Sequence, residues 1–189
     1  MGGDGRRDAL LVVRCQLGER EAFRELVQVW HAPLWRYVRG MVGSRHLADD
    51  LVQEAWVAVV RGLPRLRQPE RFAPWLFTIA RRTVADHLRQ EYRTPRTSVA
   101  EAAAVVADDA LSGVLTTMEI ESGLSGLPPS EREVLILFHL QDLSLAACAQ
   151  MLGVPPGTVK SRLHRARRML RDVLGERGHG TGHERGHEA

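Results

Sequence analysis

The sequence predicts an all-α chain: two small helical domains joined by a linker. Three observations lead there. Apolar residues recur at helical spacing through most of the 189 residues, with no sustained alternation that would mark strands. The aromatics are unevenly shared, since Phe23, Trp30, Trp35, Tyr37, Trp56, Phe72, Trp75, Phe77 and Tyr92 precede Arg93 and only Phe138 follows it. Two cores of different composition are therefore expected, and between them, from residue 94 to 126, the helical pattern weakens. The length suits one ordinary domain or two small ones.

The first domain is expected over residues 8–93. Phe23, Leu26, Val27 and Trp30 space as one face of an amphipathic helix. Pro33 is expected to open a second helix through Leu34, Tyr37, Val38 and Met41, broken at Gly43 and Ser44. Asp49 and Asp50 are expected to start a third, because acids favour the positive end of a helix dipole. Leu51, Ala55 and Val59 form its inner stripe. Gly62, Pro64 and Pro69 then mark a loop carrying Arg61, Arg65, Arg67 and Arg71. A fourth helix is expected from Pro74, with Leu76, Ile79, Ala80, Thr83, Val84 and His87 on one side.

Residues 94–126 are Ala-rich and acidic and read as a flexible linker with transient helix. The second domain is expected over 127–174. Pro128 and Pro129 open a helix from Ser130 to Leu140, Ser144 caps a short one from Leu145 to Leu152, and Gly153 ends it. A third helix follows from Val154 to Arg171, and a helix pair joined by a tight Gly-containing turn is a helix-turn-helix. The tail, 175–189, is Gly- and His-rich with nothing to bury, and is expected to be disordered.

The Val154–Arg171 helix carries the chemistry. Val159, Leu163, Ala166, Leu170 and Val173 make a buried stripe, while Lys160, Arg162, Arg165, Arg167, Arg168 and Arg171 fill the other faces. A basic helix held on a small core is what the major groove of DNA accepts. A solvated surface helix is the plainer alternative, but it would carry balancing acids, and this stretch has none. The net charge of the whole chain is only +3, so the position of the charge matters more than its sum. No apolar run reaches membrane-spanning length and the N-terminus lacks a signal-peptide core, so a cytoplasmic location is expected. Cys15 and Cys148 stand in no ligand motif, and Cys148 is expected to point inward as a small hydrophobe. No Gly-rich phosphate loop, activated nucleophile or paired catalytic carboxylates appear, so neither an enzyme nor a cofactor is expected.

Three segments together carry a resemblance to a known family. They are LADDLVQEAWVAVV (47–60), RFAPWLFTIARRTVADHLR (71–89), and LPPSEREVLILFHLQDLS with LGVPPGTVKSRLHRARRML (127–170). In this order and with this linker length, the chain resembles the extracytoplasmic-function (group IV) sigma factors of bacterial RNA polymerase, within the sigma-70 family. The resemblance implies a sigma-2-like domain at 8–93 that binds the polymerase and opens the minus-10 element. It also implies a sigma-4-like domain at 127–174 that binds the minus-35 element as duplex. It implies as partners core RNA polymerase through the clamp of its largest subunit, promoter DNA, and an anti-sigma factor of the kind that commonly covers both domains.

Site residues follow from matching these segments. Asp49, Asp50, Gln53 and Glu54 form a polar stripe that resembles the clamp-binding surface, with Leu51, Val52 and Trp56 as its expected apolar centre. Solvated acids at a helix start would read the same way. Arg65, Arg67, Arg71, Phe72, Trp75, Arg81, Arg82 and Arg89 resemble the minus-10 reader, where aromatics hold an unstacked base and arginines hold phosphates. Trp75 fits packing and contact equally well. Arg82 stands where the family often has Asn, leaving a phosphate contact or a pair with Asp86 as its alternatives. For the minus-35 element, Lys160, Ser161, His164 and Arg165 form the expected groove face, with Thr158, Arg162, Arg167 and Arg168 on phosphates. His164 reads equally as a plain surface residue. Ser144 lacks the Glu three residues on that would complete a capping box.

Two other functions remain open at this level. One is a stand-alone helix-turn-helix activator. The other is a metal-responsive protein using His179, His183 and His187, though the interleaved glycines argue against the helix that would align them. Only the sigma reading gives the Asp49–Glu54 helix a partner.

Overall fold

In a computed structural model of the chain, residues 5–93 and 124–178 are described, and among them there is no strand. The first unit holds α1 (Gly5–Gln16), α2 (Arg20–Val42), α3 (Arg45–Gly62) and α4 (Phe72–Arg93), with single 3-10 turns at Leu63–Arg65 and Pro69–Arg71 between α3 and α4. The second holds α5 (Pro129–Leu135), which runs on as a π-turn at Ile136–Leu140, then α6 (Leu145–Leu152) and α7 (Pro156–Gly178). Residues 94–123 of the expected linker and 179–189 of the expected tail, with its three histidines, lie outside the described residues, while residues 175–178 of that tail continue α7.

Several helix boundaries differ from expectation for identifiable reasons. α1 precedes the first expected helix. Its inward face includes a carboxylate, Asp8, which is buried and accepts a hydrogen bond from Trp30 Nε1 at 3.1 Å. Its outward face carries Leu10 and Val13, and Leu17 is exposed just past its end, so the apolar spacing is blurred. α2 runs straight through Pro33 instead of restarting there. A proline inside a helix costs about 3 kcal/mol. Burying Trp30, Leu34, Tyr37 and Val38 on one continuous face, at about 1.5–3 kcal/mol for each large apolar side chain, outweighs that. α3 starts four residues before Asp49. Ser44 caps it by accepting from the Leu47 N–H at 3.4 Å, so the serine read as a breaker is the start signal. α4 likewise starts at Phe72, with Pro74 in the first turn, where its missing N–H costs nothing.

The first core is aromatic. Trp30 meets Phe72 and Phe77 edge-on at centroid distances of 6.0 and 6.1 Å, and Tyr37 meets Phe77 at 5.4 Å. The second core is aliphatic, built from Val134, Ile136, Leu137, Cys148, Leu152, Val159, Leu163 and Ala166. Leu124 and Leu127 join it, and Arg132 donates to the carbonyls of Ser125 and Leu127. The packed body therefore takes in Leu124, three residues ahead of the expected start. In α6, the Ala147 N–H donates to Ser144 Oγ at 3.1 Å, and Gly153 ends the helix in the left-handed conformation at φ 65°.

Cys148 is fully buried, and burial pushes its thiol up to about 11. At pH 8 iodoacetamide should leave Cys148 unmodified in the folded chain and alkylate it in denaturant, as peptide mass spectrometry would read.

The two units pack on each other through a polar knot. Glu133 Oε1 of α5 accepts from Tyr37 Oη of α2 and from Arg81 Nε of α4, each at 2.9 Å. Beside it, Arg132 reaches the Met41 carbonyl at 3.3 Å. Gly40 faces Ile136 so closely that a Cβ there would stand 2.7 Å from Ile136 Cδ1. Burial raises the Tyr37 hydroxyl well above its ordinary value and the neighbouring Glu133 charge adds to this, so it stays a neutral donor.

Candidate nucleic-acid interface

α7 is positioned by its buried edge. Val159, Leu163 and Ala166 are almost wholly excluded from water, which turns Lys160, Ser161, His164, Arg165, Arg167 and Arg168 outward. Thr158 and Arg162 are half-buried at the flanks. Three of these side chains already have partners within the protein. Ser161 Oγ donates to the Thr158 carbonyl at 2.9 Å, which leaves its lone pairs for an incoming donor. Arg167 bonds His139 Nε2 and lies over the Phe138 ring, 5.9 Å from its centroid. Burial lowers the His139 pKa, and the Arg167 charge lowers it further, so this imidazole is the neutral acceptor. Arg165 Nη1 bonds Glu131 Oε1 at 2.7 Å.

The expected minus-10 residues do not all reach the surface. Phe72 is fully buried beneath Trp30 and Trp75, which makes it core rather than a base-holding wall. Trp75 is half-buried and packs on Gly62, where a Cβ would stand 2.9 Å from its Cζ2. Arg65, Arg67, Arg71, Arg81, Arg82 and Arg89 are exposed. Arg67, Arg71 and Trp75 line one cleft with Thr78, and its far wall is Gln150 and Met151 of α6. Arg81 is held by Glu133. Asp86 pairs with Arg89 at 2.6 Å rather than with Arg82, whose guanidinium has no protein partner among the described residues.

On α3, Asp49, Asp50, Gln53 and Glu54 are exposed as one stripe, with Asp49 accepting from Trp35 Nε1 at 2.6 Å. Leu51, Val52 and Trp56, expected as the apolar centre of that surface, are buried in the core instead. They occupy the inward positions of the same helix: Leu51 and Val52 stand two residues on from Asp49 and Asp50, and Trp56 two on from Glu54, which is about half a turn around the axis. The stripe continues into Val57 and Val60, which are 43% and 52% exposed. Sequence reasoning missed both, although i+3 and i+4 steps from Gln53 and Glu54 lead to them. Among the described residues no cluster of His, Cys, Asp or Glu could hold a metal, and no helix is long and apolar enough to cross a membrane.

The chain is similar to known proteins. The family model for sigma-70 region 2 matches residues 26–94, and that for sigma-70 region 4 matches 117–170. The chain is 33% identical to the ECF RNA polymerase sigma factor SigM of Mycobacterium tuberculosis, over 92% of this chain and 88% of that protein. It is 28% identical to the ECF sigma factor SigW of Bacillus subtilis, over 83% and 91%. Among solved structures, CnrH in complex with the cytosolic domain of CnrY matches with a TM-score of 0.70 and 27% identity, covering 90% of this chain and 98% of CnrH. The sigma factor RpoE of Bartonella quintana, in complex with the anti-sigma factor NepR, matches at 0.70 and 25% identity, covering 81% and 96%. An acidic helix face, an arginine-lined cleft and a basic groove helix thus lie on a chain matched at both ends, and it belongs to the extracytoplasmic-function RNA polymerase sigma factors of the sigma-70 family.

Proposed function

We propose how the work of this sigma factor, promoter-directed initiation of transcription, is divided among its residues. α7 enters the minus-35 major groove with Lys160, Ser161, His164 and Arg165 toward base edges, and Thr158, Arg162, Arg167 and Arg168 hold flanking phosphates. The observation that carries this is the sidedness of α7: an apolar edge sealed in the core, and opposite it a basic face with no acid from Thr158 to Arg171. Arg67, Arg71 and Trp75 receive the minus-10 strand, with Arg65, Arg81, Arg82 and Arg89 supplying charge along its path. Phe72 supports Trp75 from below and touches no base.

The α3 stripe docks on the polymerase clamp. Asp49, Asp50, Gln53 and Glu54 supply its polar part, and Val57 and Val60 supply the apolar part in place of Leu51 and Trp56. The working units are the 8–93 and 127–174 domains, tethered by 94–126. The chain acts in the cytoplasm beside its polymerase and is not itself an enzyme, since bond formation belongs to the polymerase. Its partners are core polymerase, promoter DNA and an anti-sigma factor, as NepR is for the similar RpoE chain.

Run-off transcription with purified core polymerase tests this reading. Promoter-specific product is expected. Duplex binding with no initiation at any promoter would favour the stand-alone activator. Reversing Asp50 and Glu54 to Arg should weaken polymerase binding by about tenfold or more, because like charges across an interface cost several kcal/mol. Binding of the isolated chain to upstream duplex should not change, since both residues lie on α3, away from α7.

A further inference from the structure

Glu131 is the least explained charged residue in the second unit. It sits in the first turn of α5 and is only 3% exposed, and carboxylates this buried are rare unless paired. Its partners are local and distant at once. Ser130 Oγ donates to Oε2 at 2.5 Å, and Arg165 Nη1, 34 residues away on α7, donates to Oε1 at 2.7 Å. Burial alone would push this carboxyl up, yet the bonds from Ser130 and Arg165, with its own backbone N–H, outweigh burial and hold it below its ordinary value. It is ionised at neutral pH, so the contact is a full ion pair.

Arg165 is unusual in the same way. Lys160, Arg162 and Arg168 have no carboxylate partner among the described residues, and Arg167 bonds a neutral imidazole. Arg165 alone of these is tied to an acid, and its side chain is still 57% exposed. An arginine carries five N–H donors in a rigid fork, and one of them is spent here. The pairing has two physical effects. Anchoring one nitrogen restricts a long side chain before DNA arrives, which removes part of the ordering cost from binding. The buried carboxylate also offsets the arginine charge, so Arg165 contributes little to the sequence-independent pull on phosphates. Directional hydrogen bonding is what remains.

We propose that Glu131 is a positioning residue for promoter reading: it braces Arg165 from α5 so that the guanidinium presents its free donors to one base of the upstream element. Glu131 itself touches no DNA. The inference rests on the assignment of α7 to the groove and of Arg165 to a base.

The test is initiation by holoenzyme on a promoter pool randomised across the upstream element, with transcripts sequenced. Wild type, Arg165→Ala, Glu131→Gln and the double variant are compared. Arg165→Ala should flatten the preference at one position by about fivefold or more. Glu131→Gln should reduce preference at that same position by about two- to tenfold, the size expected from ordering one long side chain, and leave the other positions alone. In the double variant, Glu131→Gln should have no further effect. On its own, with Arg165 present, Glu131→Gln should also steepen the salt dependence of binding to non-specific duplex by about one charge, because Arg165 is freed to act as a cation. A merely structural glutamate would lower all positions together and leave the salt slope unchanged, and that result overturns the proposal. So does an unchanged preference in Glu131→Gln when Arg165→Ala flattens it. If Arg165→Ala itself leaves every position unchanged, the assignment of Arg165 fails and the bracing role goes with it. Should Glu131→Gln not fold, Glu131→Asp keeps the charge but falls short of Arg165, and the same position should respond.

Discussion

Phe72→Ala should destabilise the chain by about 3–5 kcal/mol, the cost of removing a fully buried aromatic from a packed core. Phe72 lies at the start of α4, where a minus-10 aromatic would be looked for, and Trp30 and Trp75 pack its ring at 6.0 and 5.9 Å. Domains of this size hold about 5–15 kcal/mol in all, so this single truncation removes a large fraction. Thermal or urea unfolding followed by tryptophan fluorescence is the direct measurement, since both neighbours are indoles. Trp75→Ala should behave differently. Its ring is half-buried against Gly62 and opens on the arginine-lined cleft, so a smaller stability loss and a larger loss of promoter opening are expected. Equal stability losses in the two variants would place Trp75 in the core as well and leave the cleft without an aromatic.

The second large effect is expected at Glu133. Glu133→Ala deprives the wholly buried Tyr37 hydroxyl of its acceptor, which costs about 1–3 kcal/mol. Arg81 is 44% exposed and turns to water at little cost. The loss falls on the contact between the two units, not on either core, so helix content should hold while the chain opens. Small-angle scattering should show an increased radius of gyration. Opening matters for function. Positions −35 and −10 lie about 85 Å apart along B-form DNA, at about 3.4 Å per base pair. A packed body of this size is roughly 40 Å across. Fully extended, a stretch as long as 94–126 reaches about 110 Å, enough to let the units separate. Each ~1 kcal/mol removed from the closed contact should therefore lower the chain concentration needed for half-maximal initiation by about fivefold. The pH dependence has a definite sign. Tyr37 titrates higher in the folded chain than the ordinary value of 10. Its contribution is complete below pH 10 and is lost as pH rises above it, because the unfolded or opened tyrosine ionises first. Tyr37→Phe should flatten that alkaline limb.

Much of the candidate site was legible in the sequence because it depends on one helix at a time. The groove face of α7 and the acid stripe of α3 follow from a 3.6-residue period, and burial of Val159, Leu163, Ala55 and Val59 places their opposite faces outward. The misplaced residues share one cause. Leu51, Trp56 and Phe72 have the right chemistry for an interface, but hydrophobic side chains carry the same signal whether they face a partner or a core. Only the packing of α2 against α3 and α4 separates the two. At Pro33 the burial of a continuous face outweighs the local breaker, whereas α3 starts ahead of Asp49 because Ser44, a residue type that serves equally as a breaker or a cap, is its N-cap.

The sequence by itself determined an all-α chain with two cores of different composition, a helix-turn-helix near its C-terminus and a basic helix without acids. These are short-range properties, encoded by spacing within about two turns. Tertiary structure alone decided which charges meet: Glu131 with Arg165 across 34 residues, and Glu133 with Tyr37 and Arg81 across 96 and 52. Pairings of that kind depend on how separate helices dock, and no periodicity reports them. An arginine that reads on the page as one of many cations along α7 is, once α5 and α7 are packed, tied to the buried carboxylate of Glu131.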